Sequence, residues 1–297
     1  MEWNAYLQRI MLQRDEVPTF DDYPFHLPAV SSLGQLEFHP KVTYIIGENG
    51  MGKSTLLEGI AVALGFNPEG GTMNFSFATA ETHSELHRYL RTIRGAIRPR
   101  DGFFFRAESY YNLASEIDRL DREPAFGPPI RNSYGGKSLH EMSHGESFFA
   151  AFMNRFSGYG LYILDEPEAA LSPFRQMAML SRIHELVGRR SQFIISTQSP
   201  ILMADPDRLM YQLTPDGIEE TTLEETDHYI IMKEFVNRRE GMLKELLRED
   251  ERRGRSSSLT DMSTAPPCCR PPASFKKLLT YRRFVTIIVT GECVDFM

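Results

Sequence analysis

Apolar and polar positions alternate along this chain in blocks. VTYII at 42–46 is an apolar run that predicts a buried strand, and the glycine-rich GENGMGKS follows it directly. TLLEGIAVAL then places its apolar residues at helical spacing up to Gly65. LYIL at 161–164 predicts a second strand, ending in Asp165 and Glu166, with a helix expected from Ser172 and Pro173 in its first turn. QFIIS at 192–196 predicts a third strand. GFFFRAE at 102–108 adds a further strand, and YQLTPDGIEETT reads as a hairpin turning at Asp216 and Gly217.

Strands alternating with helices predict an α/β fold with a mainly parallel sheet flanked by helices, its ligand site at the carboxyl ends of the strands. A charged, mostly helical segment from about Asp227 to Asp250 closes the body. The composition then shifts to Ser, Pro and Arg in RRGRSSSLTDMSTAPPCCRPPAS. This divides the chain into a principal domain over 1–250 and a disordered or atypical tail over 251–297. The tail's FVTIIV is too short to span a bilayer and is assigned no function.

Composition narrows the classes. The 297 residues are 41% hydrophobic and 25% charged, as in an ordinary soluble protein. A net charge of -7 speaks against a surface coated for nonspecific nucleic-acid binding, although a local basic patch stays compatible with it. The best such patch is RYLRTIRGAIRPR, where helical spacing would put Arg88, Arg91 and Arg94 on one face, with Arg98 and Arg100 flanking a proline turn. A solvated face is the favoured reading of it, and DNA contact the weaker one. All three cysteines, Cys268, Cys269 and Cys293, lie near the C-terminus, so no disulfide framework or CxxC metal site is expected. The N-terminal MEWNAYLQRIMLQRDE is charged throughout and has no signal-peptide core. The expected location is the cytoplasm.

GENGMGKS, from Gly47 through Glu48, Asn49, Gly50, Met51 and Gly52 to Lys53 and Ser54, satisfies GxxxxGK[ST] between a strand and a helix. Backbone N–H groups of such a loop converge on phosphate oxygens at a helix N-terminus. Lys53 would neutralise the β and γ phosphates and Ser54 would offer a hydroxyl to Mg2+, with Thr55 a secondary phosphate contact. Asp165, at a strand end on the same sheet edge, would hold Mg2+ through a water. Glu166 would deprotonate the water that attacks the γ phosphate, which favours hydrolysis over transfer.

MSHGES at 142–147 precedes this acidic pair. Taken alone, Ser143 and Glu146 form a capping box at a helix start. The order of phosphate loop, SHGE and DEP resembles the ABC-type ATPases, including the heads of DNA-repair and chromosome-maintenance proteins. More closely, GFF.RAES.YN, SLHE.SHGES, LYILDEPEAALSP and T.SP resemble small bacterial ATPases of that superfamily grouped as AAA-family, over about residues 17–250. The resemblance implies a P-loop fold with a small helical lobe at about 109–157. It implies that Ser143, His144, Gly145 and Glu146 form a signature acting in trans on ATP held by a second copy. The helix behind it would pack through Phe148, Phe149 and Phe152.

The resemblance implies ATP as substrate, Mg2+ as cofactor, an ATP-dependent homodimer, and an effector such as a nuclease as partner. Three departures from the family pattern matter. Glu108 stands where a glutamine approaches the metal, Gln198 where many relatives have a histidine, and Ser172 where transporters have an aspartate. Glutamine can donate a hydrogen bond but carries no positive charge. Slow or conditional hydrolysis is therefore expected. Only about ninety residues separate the phosphate loop from the signature, without heptads, which excludes long coiled-coil arms. A noncatalytic nucleotide-binding scaffold is the alternative, and a P-loop kinase the less favoured one.

Overall fold

A computed structural model describes residues 5–73, 84–107, 115, 117–122, 132, 144–169 and 171–246. Residues up to Leu223 form one compact unit and those from Glu224 a second.

The first unit holds two sheets. A three-stranded antiparallel sheet has the order β2-β1-β4, with β1 at Leu7–Leu12, β2 at Gln35–Glu37 and β4 at Leu90–Arg94. A six-stranded sheet has the order β5-β6-β7-β3-β8-β9, built from β3 (Val42–Gly47), β5 (Asp101–Arg106), β6 (Gly160–Asp165), β7 (Gln192–Ser196), β8 (Arg208–Thr214) and β9 (Gly217–Glu220). Its neighbours pair in parallel from β5 through β8, and β9 alone turns back antiparallel through the hairpin at Asp216. The mainly parallel α/β architecture read from the sequence is therefore what the chain adopts.

Register fixes the site. Arg106 lies opposite Asp165, Asp165 opposite Ser196, and Ile45 opposite Ser196, so β3, β6 and β7 deliver their ends to one edge. Both faces of these strands are covered, which explains their unbroken apolar runs. On one face, helix α2 (Lys53–Leu64) lies between the two sheets. Leu56, Leu57 and Ile60 share a core with Ile45, Ile163 and Ile194 of the large sheet and with Leu7, Ile10 and Leu90 of the small one. Gly59 makes this closeness tolerable, because a Cβ there would stand 2.9 Å from Leu86.

The opposite face is aromatic. Helices α3 (His144–Arg155) and α4 (Pro173–Gly188) cover it. Phe105 stacks on Phe148 at 3.7 Å and Phe156 on Tyr162 at 4.3 Å, with Phe152 4.9 Å from Phe156. Each buried ring removes enough apolar area to stabilise the fold by about 1.5–3 kcal/mol. Phe148 and Phe152 are core residues, as expected. Phe149 is not one of them: it is half-buried, with the Arg175 guanidinium 5.8 Å above its ring.

The basic stretch folds differently from its helical reading. Residues Glu85–Tyr89 form a 3-10 turn and β4 follows, paired with β1. Arg88, Arg91 and Arg94 therefore share no helical face. Arg88 pairs with Glu85, and Arg94 donates to the Ala63 carbonyl at 3.1 Å. β1 falls within the N-terminal segment read only as charged, yet Leu7, Ile10 and Leu12 are buried.

In the second unit, α5 (Asp227–Asn237) is capped by Thr226, whose hydroxyl accepts the Tyr229 N–H, and α6 (Arg239–Leu246) follows. Among the described residues no helix is long and apolar enough to cross a membrane.

Candidate functional site

The loop between β3 and α2 is shaped by its glycines. Gly47 has φ 149° and passes so close to β8 that a Cβ would sit 2.8 Å from the Leu213 carbonyl oxygen. Gly52 has φ 92° and starts α2 with no side-chain cap on the helix N-terminus. Uncapped N–H groups at a helix start, with the helix dipole behind them, favour an anion. Helix α1 (Pro28–Ser31) and the Leu27 before it brace this loop, since the Ala29 N–H donates to Met51 O at 3.1 Å and Leu27 and Ala29 pack on Gly52. That brace was not read from the sequence; VPTFDDYPFHLPAV carries turn residues but no motif tying it to the loop.

Lys53 is buried, 4% exposed, and its ammonium donates to Gly47 O at 2.8 Å and Glu48 O at 3.2 Å. Glu166 Oε1 lies 3.5 Å from the same Nζ. Ser54, in the first turn of α2, donates its hydroxyl to Asp165 Oδ1 at 3.2 Å. Ser196, at the end of β7, donates to the same oxygen at 2.6 Å. Asp165 is 4% exposed, and no ion pair forms on it among the described residues. Burial pushes its carboxyl above the ordinary value, and the Ser196 and Ser54 hydroxyls and the Arg106 charge pull it partly back.

Glu166 holds a left-handed backbone, φ 46°, unusual for a residue with a side chain. The Ser196 carbonyl and hydroxyl, accepting the Glu166 N–H at 3.2 and 3.0 Å, hold it there. The amide of Gln198 donates to Asn49 Oδ1 at 2.8 Å and to Glu166 Oε1 at 3.2 Å. Lys53, Ser54, Asn49, Asp165, Glu166 and Gln198 thus converge at one sheet edge.

The remaining sequence-predicted residues fall elsewhere. Glu108 and Ser143 lie outside the described residues. His144 and Gly145 begin α3, and Glu146 in its first turn pairs with Arg175 of α4 at 3.2 Å. Thr55 is half-buried in α2. Ser172 caps α4, accepting the Arg175 N–H at 3.4 Å. Glu168 turns inward and accepts the Thr197 hydroxyl and the Gln198 N–H, each at 2.7 Å.

Among the described residues no three His, Cys, Asp or Glu side chains come together as metal ligands. Ser54 and Asp165 offer hard oxygen donors, the set that suits Mg2+, which draws its other ligands from water and phosphate oxygens. The residues present fit such an ion.

The AAA domain family model matches residues 31–107, which span the phosphate loop, α2, β4 and β5. No curated protein matches the chain. Similar solved structures include CbiO1 from Clostridium perfringens, part of an ABC transporter complex, at 16% identity over 82% of this chain and 100% of that one, TM-score 0.44. Another is the SMC head domain from Thermotoga maritima, at 17% identity over 73% and 99%, TM-score 0.36. Over residues 31–107 the family match agrees with the AAA-family grouping drawn from the motifs.

Proposed function

We propose, from the premise of an AAA domain over residues 31–107, that the chain hydrolyses ATP with Mg2+ and closes into an ATP-sandwiched homodimer as a switch. One observation carries the reading. The phosphate-loop lysine and serine meet Asp165 and Glu166 at one sheet edge, with Ser54 3.2 Å from Asp165 and Lys53 3.5 Å from Glu166.

The chain's own residues divide the work. Backbone N–H groups at the start of α2 hold phosphate oxygens, and Lys53, positioned by two carbonyls, neutralises charge on the β and γ phosphates. Ser54 and Asp165 would hold the metal ion, whose charge offsets that of the phosphates. Glu166 takes a proton from the attacking water as its oxygen bonds to the γ phosphorus and the bond to the ADP oxygen breaks. A positioned base of this kind contributes about 10²–10⁴-fold. Gln198 holds Glu166 through a neutral amide, which supports slow or partner-stimulated turnover.

Ser143 and Gly145 of a second copy would complete the γ-phosphate site, and the output is closure. A cytoplasmic DNA-repair, phage-defence or similar assembly, with a nuclease or other effector, suits such a switch. DNA binding draws little support from the basic stretch, since Arg88 pairs with Glu85 and Arg94 with a backbone carbonyl.

The test is phosphate release from ATP with Mg2+, combined with light scattering. Lys53→Ala is expected to abolish release, and Glu166→Gln to lower it by about 10²-fold or more while trapping a dimer with ATP. Release that survives Lys53→Ala, or a Glu166→Gln chain that stays monomeric with ATP, would sink the reading.

A further inference from the structure

We propose that Glu168 is a positioning residue for hydrolysis: its carboxylate fixes the main chain at Thr197 and Gln198 so that the Gln198 amide bridges Asn49 and Glu166. The proposal rests on reading the site as an ATPase.

Glu168 and Glu166 stand two residues apart in the loop after β6 and grip Gln198 from two sides. Glu168 Oε1 accepts the Gln198 backbone N–H at 2.7 Å, and Glu166 Oε1 accepts the Gln198 side-chain amide at 3.2 Å. The same Oε1 of Glu168 takes the Thr197 hydroxyl at 2.7 Å. Thr197 in turn has its N–H on Ile45 O at 3.3 Å, and its hydroxyl accepts the Ser199 N–H at 3.0 Å. The loop after β7 is thus fixed at both of its first two residues by one carboxylate oxygen. Hydrogen bonds to an ionised acceptor are shorter and stronger than neutral ones, which suits a clamp.

The second oxygen shows what the clamp is for. Glu168 Oε2 is buried and has no hydrogen-bond partner among the described residues. A carboxylate buried with one oxygen unsatisfied is a poor way to gain stability. Burial pushes the Glu168 carboxyl above its ordinary value, and the Gln198 N–H and Thr197 hydroxyl hold it back only in part. What the arrangement does supply is geometry. Gln198 is the one described side chain that reaches both the phosphate loop and Glu166 by hydrogen bonds, and Glu168 holds its main chain.

The experiment compares steady-state phosphate release, ATP affinity and melting temperature of the whole chain with Glu168→Ala, Glu168→Met, Glu168→Gln, Gln198→Ala and the Glu168→Ala/Gln198→Ala pair. Methionine keeps the length of the side chain and offers no oxygen; glutamine keeps one acceptor. The expected result is a kcat about tenfold lower in the alanine and methionine variants, with KM changed less than about threefold and most of the rate recovered by glutamine. The double variant should be no slower than Gln198→Ala within about twofold, because one residue acts through the other.

Wild-type kcat in the folded alanine or methionine variant overturns the proposal, as do losses that multiply in the double variant. Failure of both variants to fold overturns it too, placing Glu168 in stability alone. Lys53→Ala separates the two levels. Lys53-dependent release that ignores Glu168 removes only this proposal, whereas release that ignores Lys53 removes the ATPase reading and this one with it.

Discussion

Two aspartates at opposite ends of the β5–β6 pair are treated in opposite ways. Asp101 opens β5 at the amino edge of the sheet, where the Arg155 guanidinium meets both its oxygens at 3.0 Å. The Tyr162 hydroxyl donates to it at 2.9 Å and the Gly102 N–H at 2.9 Å. Asp165 closes β6 at the carboxyl edge with two serine hydroxyls and, among the described residues, no ion pair. The cation on the neighbouring strand, Arg106, pairs with Glu58 of α2 and lowers the Asp165 carboxyl only through space. The chain neutralises one end of the pair by a direct ion pair and leaves the other with two hydroxyls and the more distant pull of Arg106. A buried carboxylate without a direct ion pair is costly, so its retention points to chemistry, while the paired charge points to construction.

The largest expected effect separates these roles. Asp165→Asn keeps an acceptor for Ser196 and removes the charge. Phosphate release should fall by about 10²–10³-fold while the melting temperature holds or rises. A variant that melts much earlier would mean that the charge is structural, and the contrast with Asp101 would collapse.

Asp101→Asn should show the reverse. It leaves Arg155, whose side chain is 25% exposed, without its carboxylate, and weakens the Tyr162 hydrogen bond. Water reaching the guanidinium softens the loss, so a destabilisation of about 1–3 kcal/mol is expected in denaturant unfolding. Phosphate release per folded molecule should stay within about twofold of wild type. A large loss of kcat without loss of stability would extend the functional edge across the sheet.

How far this division could be read from the sequence depends on the range of the contacts. The phosphate loop, β3, β6 and β7 were legible because their signals are local: an apolar run, then glycines or an acidic pair at a fixed offset. β4 was not. Leu86, Leu90 and Ile93 are spaced 4 and 3 apart, as on a helix, and only pairing with β1, some eighty residues earlier, decides for a strand. The inward turn of Glu168 was hidden for the same reason. Its partners Thr197 and Gln198 are 29 and 30 residues away, joined to it by the parallel register of β6 and β7. The opposite fates of Asp101 and Asp165 were likewise hidden, since Arg155 reaches Asp101 across 54 positions and no local pattern announces it.

A third aspartate tests whether burial alone makes a site. Asp205 is 3% exposed and sits before β8, opposite the functional edge, where its Oδ1 accepts the Asp207 N–H at 3.0 Å. No ion pair forms on it among the described residues, although His184 and Arg208 draw its carboxyl down and Asp207 pushes it up. Burial is the largest influence and raises it above the ordinary value. The folded state then binds more protons than the unfolded one between the two values, so the wild type loses stability as pH rises through that window. Asp205→Asn keeps the turn acceptor and does not titrate. Its melting temperature relative to wild type should climb as pH rises from about 4 towards about 7, by less than the change at Asp101, and phosphate release should be unaffected. A relative melting temperature that falls over the same interval would show Asp205 held by His184 or Arg208, a paired charge like Asp101. A loss of phosphate release would instead make any unpaired buried carboxylate functional, and the hydrogen bond from Ser54 would no longer distinguish Asp165.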